Sequence, residues 1–175
     1  MGAVLQRFIE TIRFDREAFV WMDFNDRATG DGLILVLITQ VLFLIAGGTP
    51  LLGFVTGFTD VLAAFVSTAI FWLVYSAIVY AVVKYLFQGD GVYAFYLRVS
   101  GFAFPTLLLL LATTRFLPDF DFLAALLGSL WFLAVVAYGT HYIADLPLIK
   151  AAAASGAGYV GWVIIQAIRS GLSLF

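Results

Sequence analysis

The chain contains no cysteine, a single histidine and few charges. Without cysteine there is no disulfide framework, no thiolate metal site and no thiol nucleophile. Nine basic residues set against eleven acidic ones make no cationic face, which excludes a nucleic-acid binder. Charged residues make up 11% of the chain, against about 25% in a soluble domain, so too few are present to cover a water-facing surface. What fills their place is apolar: 63% of residues are hydrophobic and the mean hydropathy is +1.06. That composition describes an integral membrane protein. Nothing alternates with period two over strand-length segments, so a barrel is excluded and the fold class is all-α.

A helix needs about 20 mostly apolar residues to cross the hydrocarbon layer. Runs of that kind predict a polytopic protein with five transmembrane helices, over about 33–46, 61–87, 92–114, 122–143 and 150–169. The first is the shortest and ends in Gly47-Gly48-Thr49-Pro50.

The first 31 residues carry ten of the charges and are read as a segment apart from the transmembrane domain of 32–175. Val4, Leu5, Phe8, Ile9 and Ile12 recur at helical spacing, with Gln6, Arg7, Glu10 and Arg13 opposite them. This predicts an N-terminal amphipathic helix lying in the membrane interface. Asp15 is placed to cap a second short helix through Met22. Phe8, Ile12, Phe19 and Trp21 are the expected interfacial anchors, in contact with membrane lipids.

Basic residues in short loops set orientation. Arg7, Arg13, Arg16, Arg27, Lys84, Arg98 and Lys150 fall on one side of the five-span arrangement, and Arg115 and Arg169 on the other. The N-terminus is therefore expected in the cytoplasm and the C-terminus outside. Arg98 and Arg115 stand about 25 Å apart along a helix, so each is expected to snorkel toward its own headgroup zone. No charge remains at the centre of a span, which argues against a charged-ring channel or a proton-coupled pump.

Three constellations invite chemistry. His141 and Asp145 share a helical face if the helix continues, as a base with its orienting carboxylate or as two metal ligands. Ser155-Gly156 opens the fifth span and has the residue type of a nucleophile. A lone intramembrane histidine can also ligate haem or a pigment axially, which makes His141 a cofactor candidate. Against these stand plainer uses: a histidine near a helix end commonly bonds loop carbonyls, and small residues serve close packing. Ala153, Ala157 and Gly161 recur every four residues on the fifth span, forming a face for a neighbouring helix or another subunit. Pro105 removes a helical hydrogen bond from the third span, and Gly101 one turn earlier softens it, which predicts a kink.

Asp15-Arg16-Glu17-Ala18-Phe19, the stretch from Gly89-Asp90-Gly91 through Phe95-Tyr96-Leu97-Arg98 to Gly101-Phe102-Ala103-Phe104-Pro105, and Trp131 together resemble the Yip family. These are five-span membrane proteins first known as partners of Ypt/Rab GTPases. The likeness covers about residues 15–170. Only about 30 residues precede the membrane, where eukaryotic members carry a long cytoplasmic region, so it implies a short prokaryotic-type member in a bacterial inner (cytoplasmic) membrane, without Rab binding. The expected function is a non-enzymatic scaffold or accessory subunit that associates with other integral membrane proteins or with itself, or shapes the bilayer. No catalytic residue, metal or cofactor is assigned. Small-molecule transport or conduction along the Pro105 helix, and pigment or haem binding through His141, are the alternatives.

Overall fold

A computed structural model describes residues 2–46, 57–109, 111 and 121–172. The break at 47–50, Arg115 and the end of the third apolar run lie outside the described residues, as does the Arg169 side chain. Among the described residues the protein is all-helical. Helix α1 spans Gly2–Ile12, α2 Arg16–Phe24, α3 Arg27–Ile45 and α4 Phe58–Ala81, the last continuing as a π-helical turn over Val82–Leu86. Helix α5 spans Tyr93–Ala103 and passes into a 3-10 turn over Phe104–Leu108, followed by α6 at Asp121–Ile143 and α7 at Leu148–Leu172.

Four of these segments are long and apolar enough to cross a membrane: Arg27–Ile45, Phe58–Leu86, Leu126–Ile143 and Leu148–Ile168. The first starts earlier than its apolar run, so the boundary read at residues 31/32 falls inside α3. Its start is built by Asn25, whose side chain accepts from the Arg27 N–H at 3.1 Å. The third apolar run is a shorter α-helix with a 3-10 continuation. Pro105 has no N–H to give the Gly101 carbonyl, and that oxygen instead accepts from Phe104, three residues on.

The outer faces are apolar, unlike those of a water-soluble bundle, and polar side chains are set into the core. Thr39, Gln40, Thr68, Ser76, Ser100, Thr106, Thr140 and Ser155 are all buried. Ile34, Ile38, Leu62, Val66, Ile70, Val160, Val163 and Ile164 are exposed along the outer faces of α3, α4 and α7. Apolar faces turned outward over hydroxyls and amides suit a hydrocarbon solvent, where each polar group must find its partner inside the protein.

The core between α4, the 3-10 turn, α6 and α7 is aromatic. Phe71 meets Trp162 edge-on at 5.1 Å, Tyr75 lies 5.0 Å from Phe132, and Phe104 reaches the same Phe132 from the 3-10 turn. At one end of the bundle the connections converge. The Asp90 N–H bonds the Ala144 carbonyl, and the Lys150 ammonium stands over the Phe87 ring at 5.9 Å. Helices α1 and α2 pack against α5 and the last turns of α6 at that same end.

Candidate functional site

The most connected polar side chain in the described structure is Arg98, midway along α5 and 4% exposed. Its Nη1 donates to the Met22 carbonyl at 2.7 Å and to the Asp23 carbonyl at 3.0 Å. Nη2 donates to Asp26 Oδ1 at 2.7 Å, and Nε to Thr29 Oγ1 at 2.9 Å. Met22 and Asp23 belong to the last turn of α2, whose carbonyls lack helical donors, so the guanidinium completes that helix end and meets its negative dipole. The fork geometry of arginine serves several such acceptors at once. Arg98 therefore does not snorkel to a headgroup zone: its charge is spent inside the protein, joining α2, the α2–α3 turn and α3 to α5.

The N-terminal segment is seated accordingly. Asp15 caps α2, accepting from the Glu17 N–H at 2.9 Å. Ala18, Phe19 and Met22 are fully buried. Phe19 sits against Gly139, where an added Cβ would come within 2.8 Å of its ring, and near Tyr138 and Tyr142. This corrects its reading as an interfacial anchor, because no part of it is left for lipid. Val4 and Phe8 pack against the core, and Trp21 meets Phe102 edge-on at 6.1 Å. Ile12 is half-buried. The outward apolar side chains of this segment are instead Leu5, Ile9, Val20 and Phe24. The apolar face of α1 is thus divided along its length, with Val4 and Phe8 toward the protein and Leu5 and Ile9 toward the exterior.

His141, Asp145 and Ser155 do not form one site. His141 Nδ1 bonds the Leu146 carbonyl, an acceptor, so this nitrogen donates and the ring is held by the turn that follows α6. Helix α6 ends at Ile143, and Asp145 lies beyond it with a left-handed φ of 50°, exposed, so the i+4 relationship is not realised. Ser155 Oγ donates to the Leu133 carbonyl and pairs with the Tyr75 hydroxyl, both at 2.9 Å, tying α7 to α6 and α4. Among the described residues no group of three or more His, Asp or Glu side chains is gathered for a metal ion.

The small residues of α7 divide between two faces. Ala154 and Gly158 are buried, and a Cβ on Gly158 would approach Val79 and Tyr75 of α4 to 2.7 and 2.8 Å. Gly161 also turns toward α4, where a Cβ would meet Ile78 at 2.8 Å. Ala153 is exposed, Ala157 is half-buried, and a Cβ on Gly156 would meet nothing within 4 Å. Ala153, Gly156, Ala157 and Val160 therefore line an outward strip, while Gly161 belongs to the internal packing.

Gly101 has a use that its expected softness missed. A Cβ there would lie 2.8 Å from the Gly32 Cα, so α3 and α5 cross backbone to backbone two residues before α5 ends. Above this crossing, Thr68 donates to Gln40 Oε1 at 2.8 Å, and the Ser76 and Ser100 hydroxyls stand 2.7 Å apart. Sequence reasoning missed Arg98 as the hub. Its signal was an arginine inside an aromatic segment, together with a turn rich in acids and amides, Asp23 to Asp26, that needed a donor.

No family model matches this sequence, and no curated protein or solved structure matches it either.

Proposed function

We propose that the protein is a non-enzymatic integral membrane scaffold or accessory subunit that associates with other membrane proteins, or with a second copy of itself, through the outer strip of α7. The observation that carries this reading is the strip itself. Ala153, Gly156 and Ala157 face outward with open space at Gly156, beside the exposed Val160 and Ile164. In lipid, helices associate where small residues let backbones approach, since no hydrophobic gradient drives them together. The other small face of this helix is already used by α4.

In this reading the chain crosses the bilayer five times. The third crossing is α5 with its 3-10 continuation, about 26 Å long at about 1.5 and 2.0 Å per residue. The end that gathers Arg7, Arg13, Arg16, Arg27, Lys84 and Lys150 faces the cytoplasm, in keeping with the positive-inside rule. Helices α1 and α2 lie at that interface with Leu5, Ile9, Val20 and Phe24 toward lipid. A short Yip-type protein of a bacterial inner membrane fits this picture, and it rests on the sequence likeness alone.

The test is association in native membranes. Replacing Ala153 and Ala157 together by leucine should lower recovery of the intact assembly while insertion and helicity stay unchanged. Unchanged assembly size would refute the strip as an interface. A second reading keeps His141 as an axial ligand, favoured by the Leu146 carbonyl on Nδ1, the kind of second contact that orients a ligating imidazole. Colour in the gently purified protein that disappears with His141→Ala would establish it.

A further inference from the structure

Between α1 and α2 lies a groove of about 480 Å³ lined by Arg7, Arg16, Glu17, Val20 and Trp21. That is in the size range of small-ligand sites, about 300–1,000 Å³. Its lining holds charges of both signs that are not paired with each other. Arg7 is joined to Glu10 at 2.8 Å and stacks over the Trp21 ring at 5.1 Å, which fixes its guanidinium at the wall. Arg16 rests over Tyr142 at 5.6 Å, and among the described residues its N–H groups have no carboxylate partner. The Glu17 carboxylate is likewise unpaired among the described residues; only the backbone N–H of that residue is engaged, by Asp15. Val20, with Leu5, Ile9 and Phe24 nearby in the same segment, supplies exposed apolar surface.

From this arrangement we infer that the groove holds the headgroup of a zwitterionic phospholipid bearing a primary amine, with its phosphate on Arg16 and Arg7 and its ammonium on Glu17. A guanidinium matches a phosphate diester by charge-assisted hydrogen bonds. A purely anionic headgroup such as phosphatidylglycerol can donate its hydroxyls to Glu17 but brings no positive charge there, so it forms the weaker neutral-donor bond where an ammonium forms a charge-assisted one. A trimethylammonium headgroup has no N–H to donate to a carboxylate and needs an open aromatic face, whereas one face of Trp21 is already covered by Arg7. A primary ammonium donates directly to Glu17. Val20 meets the glycerol and first methylenes.

The inference rests on the interfacial placement of α1 and α2 proposed above. The full-length protein in mild detergent is titrated with soluble short-chain phosphatidylethanolamine, phosphatidylcholine, phosphatidylglycerol and inorganic phosphate, read by calorimetry. Phosphatidylethanolamine should bind about tenfold more tightly than either other lipid. Arg16→Gln should weaken it about tenfold, and Glu17→Gln should abolish the preference over phosphatidylcholine while leaving helicity intact. Equal binding of the three lipids, preference for phosphatidylglycerol, or phosphate binding as tight as lipid would each overturn the assignment. A nitroxide attached at position 24 of the otherwise cysteine-free chain reports depth in vesicles separately. A headgroup depth with no lipid preference would sink this inference alone, and a label in bulk water would sink the interfacial placement.

Discussion

The guanidinium of Arg98, on α5, lies 2.7 Å from the Met22 carbonyl and so closes the end of a helix 76 residues earlier in the chain. The same group reaches Asp23, Asp26 and Thr29. One buried charge thereby makes the N-terminal segment part of the membrane bundle, and it carries consequences that can be measured.

Arg98→Met keeps most of the side-chain volume and removes every one of these bonds. It should cost about 3 kcal/mol, the usual scale for stripping one partner from a buried ionic network. Hydrogen exchange should then accelerate across Arg16–Phe24 while the apolar spans remain protected. Asp26→Asn should cost under about 1 kcal/mol, because the Asp26 side chain is exposed and its half of the pair is screened. Equal losses in the two variants would place the stabilisation in the ion pair rather than in the α2 carbonyls.

Gly101→Ala should destabilise by about 1–3 kcal/mol, since its Cβ would fall 2.8 Å from the Gly32 backbone and neither helix can yield cheaply there. Gly156→Ala adds a methyl group into open space and removes a glycine from a helix interior, so it should leave stability unchanged or raise it by up to about 1 kcal/mol. Thermal unfolding of the two variants in the same detergent checks the contrast.

Ser155→Ala and Tyr75→Phe remove two ends of one buried contact. A double-mutant cycle should return a coupling of about 0.6 kcal/mol and no more than about 1.7, the average and the maximum measured for hydrogen bonds between membrane helices. A coupling near zero would assign Ser155 to its bond with the Leu133 carbonyl alone.

Much of this architecture was legible because hydrocarbon imposes simple rules. Length and apolarity located α3, α4, α6 and α7, and Asp15 announced the start of α2 by its residue type. Pro105 announced a local disturbance of the third span, read as a kink and found as the 3-10 turn over Phe104–Leu108, because a missing N–H acts locally. What could not be read depends on three-dimensional neighbours. Phe19 and Leu5 carry the same kind of signal in one dimension, yet Phe19 finds the notch at Gly139 and Leu5 faces outward. Arg98 near a span's end looks like a snorkelling cation until the α2–α3 turn is folded over it. Gly161 and Gly156 differ only in which side of α7 meets α4, a rotation that a repeat of small residues does not specify.

The central claim, that the outer strip of α7 is where another helix docks, is tested most directly by photo-crosslinking in native membranes. A crosslinking residue placed at Gly156 should capture a companion polypeptide or a second copy of the chain, and one at Gly161 should crosslink only within the chain, to α4. Capture of lipid alone from Gly156 would contradict the account.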